Sequence, residues 1–175
     1  MTKLKVFEVP EPVLREKAAE VAEVTAEIKQ TLADMLETMY VSNGVGLAAN
    51  QVGLLKRMVV IDVAGDGEQP DPLKMVNPVI VAHSEKKSKH NEGCLSVPRE
   101  YADVERFETV TVRYRDENGV IRERSADGLL AIAIQHELDH LDGILFIDYL
   151  SPLKRKLLLK HLEKRRKKLV KEEAS

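Results

Sequence analysis

Apolar residues recur at helical spacing in Ile28, Leu32, Met35, Leu36 and Met39, behind Thr25, a residue suited to cap a helix. Asn43-Gly44 ends that pattern. A shorter helical pattern runs around Leu14 to Val21, after Pro10 and Pro12. The middle of the chain reads as strands. Met58 to Val63 is a continuous run rich in β-branched residues, and Thr109 to Tyr114 alternates apolar with polar. Met75-Val76 and Val79 to Val81 flank Asn77-Pro78, so Pro78 is expected at a sheet edge or a bulge. Asp116-Glu117-Asn118-Gly119 is a turn, and Ile121 to Ser125 returns as its hairpin partner. A helix is predicted from about Asp127 to Asp142, stopped by Gly143. Ser151-Pro152 then starts a last helix with Leu153, Leu157, Leu158 and Leu162 along one side. Strands in the middle and helices at both ends predict an α+β fold.

The length of 175 residues suits one domain with its own core. We expect a catalytic segment 1–152 and a basic helical tail 153–175 belonging to the same domain. No apolar run reaches the roughly 18–20 residues that span a bilayer. Met1 to Phe7 lacks the apolar stretch of a signal peptide, so the cytoplasm is the expected compartment. The single cysteine, Cys94, excludes an internal disulfide and agrees with reducing surroundings. Charge is unevenly spread. Lys154 to Glu173 holds ten lysines and arginines against three glutamates, a surplus of +7 that leaves −9 on the rest of a chain of net charge −2. Such a tail suits an anionic partner or simple solvation. Met35 and Met39 read as core filler.

The chemistry is carried by His136-Glu137-Leu138-Asp139-His140, an H-E-x-x-H pattern within the predicted helix. Residues four apart share a helix face, so both imidazoles can address one ion. Glu137, on the flank of that face, can reach a water in an open position of the ion. That is the arrangement for metal-assisted hydrolysis, in which bound water is acidified and a carboxylate takes its proton. The third ligand decides the class. A metzincin needs histidine at 146, where this chain has Phe146; a thermolysin-like downstream glutamate could only be Glu163, which sits among Lys164, Arg165 and Arg166 and reads as solvated. Cys94 remains, in the tight segment Glu92-Gly93-Cys94-Leu95-Ser96. A thiolate binds zinc or ferrous iron strongly, and one Cys with two His leaves a position for water. Leu129, Ile132 and Ala133 lie seven, four and three residues before His136 and so form an apolar wall on the metal face.

Three segments together resemble peptide deformylase: Gly44-Val45-Gly46-Leu47-Ala48-Ala49-Asn50-Gln51, Glu92-Gly93-Cys94-Leu95-Ser96, and Gln135-His136-Glu137-Leu138-Asp139-His140. They stand in the family's order and spacing. The resemblance implies small β-sheets packed around a central H-E-x-x-H helix, with an N-terminal and a C-terminal helix. It implies removal of the N-formyl group from the initiator methionine of nascent chains, with release of formate. Ferrous iron is implied as the physiological metal, with zinc, nickel or cobalt as substitutes. Glu137 is implied as the acid/base group. The side-chain amide of Gln51 and the backbone N–H of Leu95 are the implied oxyanion donors. Gly44 and Gly46 would let the backbone pass close to substrate, and Val45 would join Leu129, Ile132 and Ala133 in a methionine pocket. The basic run Lys164 to Lys168 would dock on rRNA near the nascent-chain exit. A monomer is the default, and no membrane partner is expected. Two competing readings stay open at this point: another H-E-x-x-H metallohydrolase such as a small peptidase, and a non-enzymatic, metal-stapled ribosome-binding module.

Overall fold

The computed structural model describes residues 2–174; Met1 and Ser175, the outer ends of the two expected segments, lie outside the described residues. Ten elements carry the fold. They are α1 (Ala26–Val41), β1 (Gly46–Ala48), β2 (Met58–Ile61), β3 (Leu73–His83), β4 (Lys87–Cys94), β5 (Val97–Phe107), β6 (Val110–Arg115), β7 (Ile121–Ala126), α2 (Gly128–Leu141) and α3 (Pro152–Ala174). An antiparallel sheet has the order β1-β2-β3-β6-β7, and β4 pairs with β5 in a separate hairpin. The fold is α+β, as expected.

Helix α1 begins at Thr25, whose Oγ1 accepts from the Ile28 N–H at 3.2 Å. Its buried face, Ile28, Leu32, Met35 and Met39, packs on Met58, Val60 and Val76. The alternate residues of the same strands, Val59, Ile61 and Met75, join Ala131, Ala133, Ile134 and Leu141 of α2. Successive strand side chains point to opposite faces. Strand β2 is thus covered on both sides, which explains its unbroken apolar run. A third cluster joins Val97 and Val104 of β5 to Phe146, Leu158 and Leu162, and so ties the first half of α3 to the body.

One expectation needs correction, and three features go beyond what the patterning showed. No α-helix forms over Leu14 to Val21; Pro12–Arg15 makes one short 3-10 turn and the chain then runs extended. Its backbone groups are claimed elsewhere: Ala18 N–H donates to Leu141 O, Ala19 N–H to Leu55 O, and Arg57 N–H to Ala19 O. Of the two places expected for Pro78, the bulge is the one it takes: β3 lies between β2 and β6, and the register shifts between Val76 and Val79. The missing N–H of Pro78 falls where the ladder is already interrupted. The hairpin β4–β5 was invisible to hydrophobic patterning because β4 is Lys-Ser-Lys-His-Asn-Glu-Gly-Cys. Last, only Leu158 and Leu162 of the tail stripe are buried, whereas Leu153 and Leu157 are exposed.

The end of α2 meets the N-terminal segment through Gly143. It has φ +74°, and a Cβ there would fall 2.5 Å from the carbonyl oxygen of Arg15. We predict that Gly143→Ala lowers stability by at least about 2 kcal/mol, because a left-handed backbone and a backbone clash coincide. Urea unfolding would measure this; a loss below about 0.5 kcal/mol would contradict it.

Candidate metal centre

Helix α2 is buried on nearly all sides, with the sheet against one face and the β4–β5 hairpin against the other. Gln135 fixes its depth. Its Oε1 accepts from the Phe107 N–H at 3.0 Å, and its Nε2 donates to the Phe107 carbonyl at 2.9 Å. On the hairpin face, His136 and His140 meet Cys94 from the end of β4. One donor atom from each of the three lies within 4.8 Å of the others, and Cys94 Sγ is 3.3 Å from His140 Nε2. The cysteine proposed from sequence thus reaches both imidazoles, although it lies far from them along the chain. The other candidates do not. Phe146 stacks on the His136 ring at 6.1 Å, and exposed Glu163 pairs with Lys167 at 3.2 Å.

These groups suit a divalent metal. A soft sulfur and two nitrogens are the donor set for zinc or iron. Burial, then His136, pushes the His140 imidazole well below its ordinary value, so it is neutral, the form that ligates. Burial alone would do the same to His136, but Cys94, Glu92 and Glu137 together hold it well above. With Glu92 held ionised beside them, the three donors make the point of convergence a place for a cation.

Glu92 orients His136. Its Oε1 accepts from His136 Nδ1 at 2.9 Å, which turns Nε2 toward Cys94. Arg106, only 4% exposed, grips Glu92 through Nε at 2.8 Å and Nη2 at 2.9 Å, and reaches Asp139 through Nη1 at 2.7 Å. Burial would raise the Glu92 pKa, but Arg106 and His136 hold it below its ordinary value. Tyr149 donates to Asp139 Oδ2 at 2.7 Å and lies beneath the guanidinium. Burial and Asp139 push Tyr149 up to about 12, so the phenol keeps its proton. None of Glu92, Arg106, Asp139 and Tyr149 was singled out from sequence as a site residue. For Glu92 a signal existed: it lies two residues before Cys94 and so shares its strand face.

Glu137 lies beside the three donors, its Oε1 4.0 Å from His136 Nε2. Burial pushes its carboxyl up to about 7. Its Oε2 is buried with no hydrogen-bond partner among the described residues, and so is Nδ1 of His140. Gly46 makes room for this carboxylate, since a Cβ there would fall 2.6 Å from Oε1. Gly44 likewise makes room for the Leu95 side chain. Packing of protein against protein thus requires both glycines, and both also line the cleft above. Gln51 is held by the Ala48 N–H on its Oε1 at 2.9 Å, which aims Nε2 at Ser96 Oγ (3.1 Å) and Cys94 Sγ (3.5 Å). A cleft of about 630 Å³ opens over these groups, lined by Gly44, Val45, Gln51, Leu95, Leu129, Ile132 and Ala133 among others. Leu129 is 53% exposed, so it belongs to the cleft wall and not to the core.

The profile of the polypeptide deformylase family matches residues 3–156. The chain belongs to the peptide deformylase family. Among curated deformylases, peptide deformylase 2 of Xanthomonas axonopodis pv. citri (strain 306) is 52% identical over 170 residues, covering 95% of this chain and 98% of that one. The peptide deformylase of Rhizobium meliloti (strain 1021) is 48% identical over 155 residues, 89% of each chain. Among solved structures, the peptide deformylase of Ehrlichia chaffeensis superposes with a TM-score of 0.93 at 36% identity, covering 97% and 99% of the two chains. The same organism's enzyme in complex with actinonin gives 0.90 at 39%, covering 94% and 98%. Peptide deformylases are metal-dependent hydrolases that remove a formyl group, and membership puts this chain in that class of enzyme. The deformylase centre, in this chain, rests on a carboxylate that aims one imidazole. We predict that Glu92→Gln weakens metal affinity about 10–100-fold while the fold persists. Chelator competition on protein with unchanged circular dichroism would measure it, and unaltered affinity would refute the role given to Glu92.

Proposed function

We propose that the chain hydrolyses the formamide at the N-terminal formylmethionine of nascent polypeptides, releasing formate, and that it works as a monomer in the cytoplasm. The observation that carries this is the buried Glu137 carboxylate beside three convergent donors at the floor of an apolar-walled cleft. Cys94, His136 and His140 would hold one divalent ion, ferrous iron in the cell with zinc, nickel or cobalt able to substitute. When bound, it supplies Lewis-acid polarisation and lowers the pKa of water.

The rest is done by the chain itself. Glu137 takes a proton from the attacking water and passes it to the amine nitrogen as the C–N bond breaks. Low-dielectric surroundings favour that exchange, because burial already raises the carboxyl toward neutrality. Gln51 and the backbone N–H of Leu95 donate to the oxygen that gains charge at the tetrahedral carbon. The Ala48 N–H supports this by holding the Gln51 amide in one orientation. Val45, Leu129, Ile132 and Ala133 take the methionine side chain, and the area they remove from water favours long unbranched groups.

Exposed lysines of α3, including Lys154, Lys156, Lys160, Lys164 and Lys168, form the face offered to rRNA phosphates. Two members of the basic run bond back to the body instead: Arg165 donates to the Pro98 carbonyl at 2.8 Å and Arg166 to the Val9 carbonyl at 3.5 Å. They anchor the helix that displays the others. Among the described residues, no helix is long and apolar enough to cross a membrane.

Protein purified without oxygen should release formate from formyl-Met-Ala and contain about one equivalent of iron. Glu137→Gln should lose at least about 10³-fold in kcat, as expected for loss of the group that moves the proton, while keeping its metal. Retained activity in that variant would overturn the assignment. Association with ribosomes should weaken steeply between low and moderate salt; co-sedimentation that ignores salt, or none at all, would remove the ribosome from the proposal.

A further inference from the structure

Strand β4 and helix α2 run past each other in matched steps. Cys94 meets His140, and Glu92 meets His136. Two strand residues rise about 6.6 Å, and four helical residues rise about 6.0 Å. The next step therefore brings His90 level with Ile132. The cleft agrees, since His90 lines it together with Val45, Leu129, Ile132 and Ala133. Those four are apolar. His90 is half-buried and adds an imidazole to the same cleft lining.

The imidazole does not stand alone. Its Nε2 lies 3.1 Å from Ser88 Oγ, on the same strand face. Either tautomer leaves this pair with one hydrogen-bond donor to offer. If the serine hydroxyl donates to Nε2, Nδ1 carries the ring proton; if Nε2–H donates to the serine, the hydroxyl proton is the one left. By the same helical rise, this donor lies about 6 Å from the level of His136. An extended unbranched side chain spans that distance.

We propose that His90 is a specificity-determining residue, supported by Ser88, which gives the side-chain pocket a hydrogen-bond donor at its outer end. This inference rests on the deformylase reading of the cleft. The pocket then selects formylated N-termini by chemistry as well as length. Methionine offers a thioether sulfur, a weak acceptor, and methionine sulfoxide offers a strong one. Norleucine, with the same chain length, offers none. A donor facing an all-carbon chain loses its water without a replacement, which is the larger part of such discrimination.

The test compares kcat/KM for formyl-Met-Ala, formyl-methionine-sulfoxide-Ala and formyl-norleucine-Ala. The native chain should use the sulfoxide better than norleucine. His90→Leu should lower the sulfoxide-to-norleucine ratio about tenfold, the scale of one hydrogen bond. His90→Gln, which keeps a donor, should retain most of it. The ratio cancels any general loss of activity, and the native preference alone decides the matter if the leucine variant does not fold. Preference of the native chain for norleucine, or a ratio in His90→Leu within twofold of native, overturns the role of His90 while leaving deformylation of formyl-Met intact. Failure of the native chain to release formate from any of the three would overturn the underlying reading, and this one with it.

Discussion

Glu92 is buried between Arg106 and His136, and its carboxylate takes two hydrogen bonds from the guanidinium and one from the imidazole. Little else in the site could keep its geometry without that contact. It joins the hairpin to α2 at the level of one donor imidazole and fixes which ring nitrogen looks toward Cys94. A buried ion pair adds little net stability, because desolvation consumes most of the attraction, yet removing one partner costs about 3–5 kcal/mol. Such a pair is therefore better at enforcing one arrangement than at holding the protein together. Asp139 and Tyr149 extend the enforcement to the far side of Arg106, where the Asp139 carboxylate accepts from both.

The apolar core does the complementary work. Val59, Ile61 and Met75 press on one face of α2, and this determines which face remains for chemistry. Gln135 pins the helix lengthwise to the Phe107 backbone. With rotation and translation both fixed, Glu137 is left beside the donors, desolvated and close to the backbone of Gly46. Burial of that carboxylate is costly to the fold and useful to the reaction, since an acid/base group works best with its pKa near the working pH. The same matched steps of strand and helix that align the donors carry His90 to the outer part of the side-chain pocket. Cys94, Glu92 and the proposed selectivity residue thus lie along a single strand face.

Much of this was legible in the chain. The period of Ile28, Leu32, Met35 and Met39 marked α1, and Thr25 marked its start within a residue. The i, i+4 spacing of His136 and His140 put both on one helix face, and the short list of other donors left Cys94. These are local rules: a turn of helix has only one pitch, and a capping hydroxyl acts within three residues. The polar hairpin was not legible, because Lys87 to Glu92 shows no apolar alternation to read. Nor was the extended path after Leu14, where distant backbone partners such as Leu141 and Leu55 outbid a helix.

The sequence by itself determined the chemistry on offer, namely a thiol, two imidazoles one turn apart and a carboxylate next to one of them, and it determined the membership of the α+β class. Only the tertiary structure decided how these groups stand to one another. It brought Cys94 to His140, spent Glu92 on His136 and Arg106, filled the space at Gly46 with Glu137, and turned His90 into the cleft. The reason is physical. Spacing along a helix is dictated by bond geometry, whereas the register of a strand against a helix is set by the packing of every side chain between them.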